Sequence, residues 1–504
     1  MKETTEQIFE PDEAEVIMLY PEGDKSTESE ITFWYKDGDE TKINREQFLA
    51  FLEQRGFRKL FIGKEYIFVQ VHSNVVKEVS TVHIKDYIAN YTKGLGEELE
   101  GGFSSREIWR KIINQVSNLF CKNFLELIPN LEGEFNRDTE SVSFIYYQNC
   151  FVRVTKDGYA AYNYDKLSGY IWESQKLKRE FNCSETKSVF EDFAYRVCRE
   201  STERYNSFIS VIGYLLHSYK DPANAKAIIF IDERIGDGAN GRCGKSLVGK
   251  AIGKIRNSVR PDGKNFKFDR FMFQSIKPDT QIIDFNDVKK GFPFENLFSI
   301  ITDDMPIEQK QKDQVIIQFE YSPKILITTN YAIKGVDPST LDRQYVFEFS
   351  DHYNENHKPI HEFKKNFFGP WNKEEWNSFD NLMIRCLREY LDKGLVEYTR
   401  INLFDKILIE STSEDFVEFA ENIELDKKYD SKELFNEFLD IYPEHKTKLM
   451  QKTFTVWVKT LANIKGYKYI PKKSGKERGF ILSKRENGRK DEGKEDSEGE
   501  GEII

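Results

Sequence analysis

Residues that could bind phosphate are concentrated in one glycine-rich segment, IGDGANGRCGKS, at positions 235–246. Backbone amides converge on a phosphate only where the chain turns tightly without side chains in the way, which glycine allows. Lys245 would then reach the β- and γ-phosphates of a nucleotide, and the Ser246 hydroxyl would bind Mg²⁺. The alternative is a flexible loop that contains Gly-Lys-Ser by chance. The glycines available for a phosphate cradle are Gly236, Gly238, Gly241 and Gly244.

The sequence on either side of this segment favours phosphate binding. An apolar run at 227–231 predicts a buried strand, and apolar residues at helical spacing over 247–255 predict a helix. Such a helix directs its positive N-terminal end at an anion. One departure is Ala239, at the position five residues before Gly244 where the usual pattern has glycine. The predicted nucleotide-binding set is Gly238, Asn240, Gly241, Arg242, Cys243, Gly244, Lys245, Ser246 and Leu247.

A second apolar strand is predicted in TQIIDFNDV and ends at Asn286 and Asp287. An acid at the end of such a strand, following a phosphate loop, would hold the water shell of Mg²⁺ and polarise an attacking water. Asp287 is the natural candidate, and Asp284 within the strand is the competing acid. The predicted metal-binding set is therefore Ser246, Asn286 and Asp287.

Two further polar residues stand at the ends of apolar runs. Asn330 follows SPKILITT, where its amide could bond a γ-phosphate or an attacking water, although asparagine is equally common in a simple turn. Arg343 precedes the run QYVFEF. Its guanidinium could stabilise transition-state charge on a nucleotide held by a neighbouring subunit.

A short polar hairpin is predicted in PIEQKQKDQVIIQFEY, between the second and third apolar strands, and it carries Lys310 and Lys312. Exposed lysines are usually just solvated charge. If the hairpin projected into the hole of a ring, the same lysines would bind a phosphate backbone.

Length and composition place the chain among soluble, multidomain proteins. It has 504 residues, of which 39% are hydrophobic and 32% charged. The absence of a run of about 18 apolar residues and the polar N-terminus predict no membrane span and no secretory signal, hence a cytoplasmic location. The net charge of −11 does not exclude nucleic-acid binding, because a basic patch can be local.

The cysteines and histidines give only weak metal signals. The six cysteines are scattered without a CxxC pair, which favours reduced thiols over a zinc site or disulfides. His352, His357 and His361 form one cluster, but it lacks an HExxH pattern and a nearby cysteine. A polar surface loop is the favoured interpretation of this cluster.

Two regions precede the phosphate loop. Residues 1–95 predict a small mixed α+β accessory domain, and 96–222 a mainly helical region with an aromatic-rich β insert. The Asp-Gly-Asp triplet at 37–39 is interpreted as a hairpin tip rather than as paired metal-binding carboxylates, because glycine breaks the strand that such a pair needs.

The last structured region, 413–484, reads as two helices followed by a hairpin with a basic tip. This order predicts a winged helix that binds DNA. A small lid or protein-docking domain is the alternative. The tail at 485–504 is charged and predicted to be disordered. The basic residues of the region are Lys452, Lys459, Lys465, Lys468, Lys472, Lys473, Lys476 and Arg478.

These motifs, taken in order, resemble a superfamily 3 helicase. GANGRCGKS, IIDFNDV, PIEQKQK, KILITTN and LDRQYVFEF follow the order of that family's motifs A, B, B′ and C and its arginine finger. The flanking sequence is similar to the helicase part of phage and plasmid primase-helicases related to the poxvirus type. The similarity covers roughly residues 100–395.

The resemblance implies an ATP- and Mg²⁺-dependent hexameric ring that translocates on single-stranded or forked DNA during replication, alongside a separate primase or polymerase. Asn286 departs from the family, which normally has an acid at both positions of motif B. The implied catalytic residues are Lys245, Asp287 as second motif B acid, Asn330 as sensor and Arg343 as finger. The predicted DNA-binding residues are Lys310, Lys312, Lys472, Lys473, Lys476 and Arg478.

The expected fold is a multidomain α/β protein. A central AAA+-like P-loop ATPase core of superfamily 3 type at 223–400 follows the mixed α+β N-terminal region and precedes the C-terminal winged helix. The expected function is an ATP-dependent replicative DNA helicase. The alternative is an ATP-gated DNA-binding initiator or scaffold ring with slow hydrolysis, which Asn286 would allow. A fused primase is not expected, because the Asp-Gly-Asp triplet at 37–39, the candidate for its paired metal-binding carboxylates, is interpreted as a turn.

Overall fold

The computed structural model describes residues 30–234, 242–269, 271–308, 314–333, 338–474 and 477–484. The described chain divides into two compact units, the larger formed by residues up to Tyr331 and from Asp342 to Thr399, the smaller by Ala332–Leu341 and the chain from Arg400 onward. Within the described ranges, no helix is both long and apolar enough to cross a membrane.

The N-terminal part of the larger unit has its own aromatic core, which includes Phe33, Phe48 and Phe51. The triplet at 37–39 forms the predicted turn, because Asp37 pairs with Glu40 across a hairpin and Gly38 has a φ of 62°. The elements are β1 (Trp34–Asp37), β2 (Glu40–Ile43), α1 (Arg45–Gln54), β3 (Phe57–Ile62), β4 (Glu65–His72), β5 (Val75–Val79), α2 (Thr81–Gly94), α3 (Ser105–Asn114), α4 (Val116–Leu119) and α5 (Lys122–Leu125).

The predicted β insert is an antiparallel three-stranded sheet, β6-β7-β8, which precedes two helices. Its elements and those that follow are β6 (Ser143–Tyr146), β7 (Phe151–Thr155), β8 (Gly158–Tyr162), β9 (Ile171–Trp172), α6 (Val189–Val197) and α7 (Thr202–Leu216). Helix α7 is buried along its last ten residues, from Ser207 to Leu216. Gly213 is needed there, because a Cβ would lie 2.1 Å from the carbonyl oxygen of Cys386.

The central part of the larger unit contains a five-stranded parallel sheet in the order β11-β12-β15-β10-β16. Its three inner strands are rich in apolar residues and are largely buried, as expected of parallel strands covered on both faces. Along this stretch of the chain the elements are β10 (Ala227–Asp232), α8 (Lys245–Ile252), β11 (Ser258–Val259), β12 (Ile282–Val288), α9 (Phe298–Thr302), β13 (Met305–Ile307), β14 (Val315–Ile317), β15 (Lys324–Thr329), α10 (Pro338–Asp342) and β16 (Gln344–Phe349). All of α10 except Asp342 belongs to the smaller unit.

Two helices follow the sheet, α11 (Pro359–Phe363) and α12 (Lys373–Lys393). Asn372 begins α12 with a capping box, because its side chain accepts from the Glu375 amide while the Glu375 carboxylate accepts from the Asn372 amide. The buried face of α12 joins the core that also contains α7 and the central strands.

The smaller unit has its own core around Phe416, Phe438 and Phe454. Its sheet has the order β17-β19-β18 and is antiparallel throughout. The elements are α13 (Leu403–Ser411), α14 (Glu414–Ala420), β17 (Lys428–Asp430), α15 (Ser431–Ile441), α16 (Gln451–Ile464), β18 (Tyr467–Ser474) and β19 (Glu477–Lys484).

Candidate functional site

The candidate site lies at the carboxyl edge of the central sheet. Asp232 ends β10, Asn286 and Asp287 lie near the end of β12, and Asn330 directly follows β15. Helix α8 begins at Lys245 beside this edge. In open parallel sheets, ligands bind outside the carboxyl ends of the strands, so the position suits a ligand site.

Lys245 is the centre of the site and is buried. Its Nζ lies 2.5 Å from Asp232 Oδ1, 2.8 Å from Asn330 Oδ1 and 3.3 Å from Cys243 Sγ. Burial alone would lower the pKa of the Lys245 ammonium, but contact with the Cys243 sulfur and the Asp232 carboxylate raises it above its ordinary value. The lysine is therefore charged and held in place.

Cys243 completes this buried group. Its Sγ lies 2.5 Å from Asp232 Oδ1 and donates to it. Burial, more than any other factor, raises the pKa of the Cys243 thiol to about 12. The thiol is thus a neutral hydrogen-bond donor at pH 7, and Asp232 accepts from two donors at once.

Gly244 directly precedes α8 and joins it to the glycine-rich segment. Its φ of 103° lies in the left-handed region, and an added Cβ would lie 2.6 Å from Cζ of Phe193. Only glycine fits both requirements. No side chain caps the start of α8, so its first backbone amides are available to bind an anion.

Ser246 and Asn286 face each other across the site. The Ser246 hydroxyl donates to Asn286 Oδ1 over 2.7 Å, and Ser246 is exposed at the surface of the site. Hydroxyl and amide oxygens are ligands that Mg²⁺ accepts. Two members of the predicted metal-binding set therefore meet.

Asp287, the third member of that set, is turned toward a different partner. The register of β12 against β15 shifts between Phe285 and Val288, and Asp287 has a φ of 59°. Its amide donates to Thr328 Oγ1 over 2.8 Å, while its carboxylate lies 2.6 Å from Lys264 Nζ. The bulge separates the two polar residues so that Asn286 faces Ser246 and Asp287 faces Lys264.

Asp284, the competing acid, is buried beneath α8 rather than open to the site. Arg260 holds its Oδ2 at 2.7 Å and also donates to the Ser246 carbonyl over 2.9 Å. Burial raises the pKa of the Asp284 carboxyl above its ordinary value despite this cation. A Cβ on Gly249 would lie 2.4 Å from the same oxygen, so Asp284 packs directly against the helix.

Arg343 is not brought to this site. It precedes Gln344, which pairs with Ala227 at the start of β10, whereas Lys245 contacts Asp232 at the end of that strand. Its guanidinium lies 4.9 Å from the ring centre of Phe298.

The predicted DNA-binding residues fall in two places. The strands β13 and β14 pair antiparallel, as a hairpin requires. In the smaller unit, Lys472 pairs with Gly479 and Lys473 with Arg478 on adjacent strands, and all three basic side chains are exposed. Lys465 is partly neutralised, because its Nζ lies 2.6 Å from Asp405.

Two further residues of the predicted nucleotide-binding set are described: Arg242 is exposed with a φ of 87°, and Leu247 is half-buried. Several predicted residues lie outside the part of the chain that the structure describes. The predicted residues outside the described ranges are Gly236, Gly238, Ala239, Asn240, Gly241, Lys310, Lys312 and Lys476.

Sequence reasoning missed the partners of the site residues. Asp232 carried a signal, because it is the polar residue that ends the apolar run before the glycine-rich segment. Arg260, Lys264 and Thr328 carried none, since their roles depend on how distant segments pack. Phe193 lies far back in the chain and reaches the site only through the packing of α6.

The sequence matches no protein-family model and no curated protein. Among solved structures, the apo structure of the NrS-1 C terminal region aligns over 86% of this chain and 98% of its own, with 12% identity and a TM-score of 0.41. Its A form apo structure aligns over 86% and 99%, with 13% identity and a TM-score of 0.39. This is a distant structural similarity, and the site residues are interpreted from their own geometry.

Proposed function

We propose that the protein is an ATP-dependent DNA helicase of superfamily 3 type that acts inside the cell. One observation carries the proposal: Lys245 bonds both Asp232 and Asn330, and Ser246 bonds Asn286, so residues from three strand ends meet at one edge of the sheet. A buried lysine at a helix N-terminus, beside a hydroxyl and two amide oxygens, suits a nucleotide with its Mg²⁺.

The sheet supports a P-loop ATPase core. β10, which leads into the glycine-rich segment, lies between β15 and β16, and α8 follows that segment. Asn330, the proposed sensor, directly follows β15, the strand next to β10. Lys245 and Asn330 are thereby joined although 85 residues separate them in the chain.

The residues of the site have separate tasks in this proposal. Lys245 would bind the β- and γ-phosphates and Ser246 the Mg²⁺, while Asn286 orients the Ser246 hydroxyl and holds metal-bound water. Asn330 would report on the terminal phosphate. Asp287 would polarise the attacking water once its carboxylate leaves Lys264, whose ion pair is exposed and therefore weak. Mg²⁺ would neutralise charge that develops on the phosphates.

Arg343 would act on a neighbouring subunit. Its place at the amino edge of the sheet puts it away from its own Lys245, as a finger supplied in trans requires. A hexameric ring would bring each Arg343 to the next subunit's site.

DNA would contact the β13–β14 hairpin and the smaller unit. Lys310 and Lys312 lie in the sequence between β13 and β14. If this hairpin projects into the hole of the ring, the two lysines would bind the phosphate backbone there. In the smaller unit, the order α14, β17, α15, α16, β18, β19, with β17 paired to β19, supports a winged helix. Its exposed Lys472, Lys473 and Arg478 suit a duplex or fork, and a primase or polymerase would be a separate partner.

A second candidate is an ATP-gated initiator or scaffold ring. The observation that favours it is Asn286, whose side chain bonds the Ser246 hydroxyl. This residue is neutral, so it would hold a Mg²⁺ ion more weakly than a carboxylate and slow the hydrolysis of ATP. Strand-displacement assays on forked DNA separate the two. The helicase proposal expects ATP-dependent unwinding that Lys310→Ala abolishes while ATP hydrolysis continues. Displacement unchanged in Lys310→Ala would remove the role of the hairpin.

A further inference from the structure

The segment after β16 brings two histidines and a glutamate together. His352 Nε2 lies 3.1 Å from Glu362 Oε2, and His357 Nε2 lies 3.5 Å from the same oxygen. One ligand atom from each of the three residues lies within 4.8 Å of the others. The separations in the sequence, with Glu362 on the short helix α11, gave no recognisable metal motif.

The spacing of these atoms fits a tetrahedral metal ion. With metal–nitrogen and metal–oxygen bonds of about 2.1 Å, two ligand atoms of a tetrahedral Zn²⁺ site lie about 3.4 Å apart. The two histidine–carboxylate separations, 3.1 and 3.5 Å, lie on either side of that value, and the two histidine nitrogens lie within 4.8 Å of each other. The three side chains are therefore close enough to bind one metal ion.

The carboxylate is already oriented for this role. Arg196 Nε donates to Glu362 Oε1 over 3.2 Å, which leaves Oε2 toward the histidines, and the Tyr353 hydroxyl donates to Oε2 over 2.9 Å. Arg196 also pairs with Glu200, so one cation serves two carboxylates and the group keeps a net negative charge. Outer hydrogen bonds of this kind fix the ligands of metal sites.

The site is open to solvent on one side. The side chains of His352, His357 and Glu362 are 31%, 44% and 23% exposed. A metal could enter, and water could occupy a fourth position. His361, the third histidine of the segment, is not part of the group, because its Nδ1 faces the amide of Lys358 at 3.4 Å.

We propose that His352, His357 and Glu362 bind a divalent transition metal of the Zn²⁺ class. Two imidazoles and one carboxylate form a ligand set that Zn²⁺ takes with water as the fourth ligand. The proposal does not depend on the nucleotide site. The metal would stabilise the wall behind the phosphate loop, since Tyr353 stacks on Phe193, and Phe193 lies against Gly244.

The test is metal binding by the full-length protein after treatment with a chelator. Titration with Co²⁺ should give the visible absorption of a tetrahedral complex at one equivalent, and Zn²⁺ should displace it. His352→Ala and His357→Ala should each lose this signal, and Glu362→Gln should weaken binding at least tenfold. His361→Ala, a histidine of the same segment outside the group, should bind normally.

Other outcomes overturn the proposal. They are a wild-type protein that takes up no stoichiometric Co²⁺ or Zn²⁺, and binding that survives in both histidine variants. Survival would place the ion elsewhere, for example at Asp415, Glu444 and His445. Circular dichroism checks that the variants fold. If an alanine variant does not, His357→Gln replaces it, which keeps the size of the side chain but removes the imidazole.

Discussion

Arg343 and Lys245 lie at opposite ends of the central parallel sheet. Gln344, which follows Arg343, pairs with Ala227, and Phe349 pairs with Asp232, the residue that holds Lys245. Five residue steps of about 3.3 Å along a parallel strand make roughly 16 Å, which is longer than an arginine side chain. Arg343 therefore does not reach Lys245 of the same chain.

Replacing Arg343 should separate nucleotide binding from hydrolysis. We expect Arg343→Ala to bind ATP with wild-type affinity, because the lysine of the same subunit is untouched, and to lose at least 10³-fold in turnover. Steady-state hydrolysis and equilibrium binding measure the two effects. In mixtures with wild-type protein, activity should fall more steeply than the mutant fraction rises. Strictly additive activity would argue against a finger that acts in trans.

Lys245→Ala should strongly weaken nucleotide binding. The loss of a charged hydrogen-bond donor to phosphate costs about 1.5–3 kcal/mol, or roughly 10- to 150-fold in affinity. Lys250→Ala is the matched control, because Lys250 lies on the same helix with its side chain exposed. Binding of a fluorescent ATP analogue measures both. Normal affinity in Lys245→Ala would mean that the glycine-rich segment is not the phosphate site.

Asn286→Asp should lower the Mg²⁺ concentration required for half-maximal hydrolysis. A carboxylate in place of the amide keeps the bond from Ser246 and adds a charge toward the metal. We expect the required Mg²⁺ concentration to fall roughly fivefold, which corresponds to about 1 kcal/mol. Asn286→Ala, which removes both oxygen and charge, should shift the requirement in the opposite direction. The same Mg²⁺ dependence in all three proteins would show that this side chain does not face the metal.

The basic residues of the smaller unit should control the salt dependence of DNA binding. Replacing Lys472 or Lys473 with alanine should reduce the slope of log K against log salt by about 0.9 for duplex DNA, without regard to sequence. Lys465→Ala should have less effect, because Asp405 already neutralises that lysine. Equal slopes for all variants would assign this unit to docking rather than to DNA.

Lys220 should make stability depend on pH. It is 3% exposed and bonds Ser322 Oγ at 2.7 Å and the Ile300 carbonyl at 3.1 Å, and burial lowers its pKa to about 7. Between pH 7 and the unfolded pKa of about 10.4, the unfolded chain binds the extra proton, so the free energy of unfolding rises with pH. The contribution is up to about 1.4 kcal/mol per pH unit.

Lys220→Met should remove this contribution to the pH dependence of the free energy of unfolding. Its gain in stability over the wild type should therefore be larger at pH 7 than at pH 10. Thermal melting across this range measures it, with the exposed Lys250→Met as control. A slope that Lys220→Met leaves unchanged would show that Lys220 stays charged in the folded protein.

The edge of the sheet where the site lies could be predicted from the sequence, because the carboxyl ends of parallel strands meet at one edge. The order of the motifs assigns Lys245, Ser246, Asn286 and Asn330 to one site, and the structure brings them together. Asp287 shows the limit. A single shift of register turns its carboxylate to Lys264, and no local pattern in the sequence encodes that shift.

Contacts between distant segments were beyond prediction for the same reason. The pattern of histidines alone predicts a surface loop at 352–361. Its carboxylate partner Glu362 lies on α11, and the sequence does not show that this residue contacts His352 and His357. The buried pair of Asp284 and Arg260 likewise depends on how the chain after α8 returns to the sheet.

Steady-state ATP hydrolysis with and without single-stranded DNA tests the central proposal most directly. The helicase proposal predicts Mg²⁺-dependent turnover that single-stranded DNA stimulates and that Lys245→Ala eliminates. Negligible turnover that DNA does not change would contradict a motor and leave the ATP-gated ring as the function of this site.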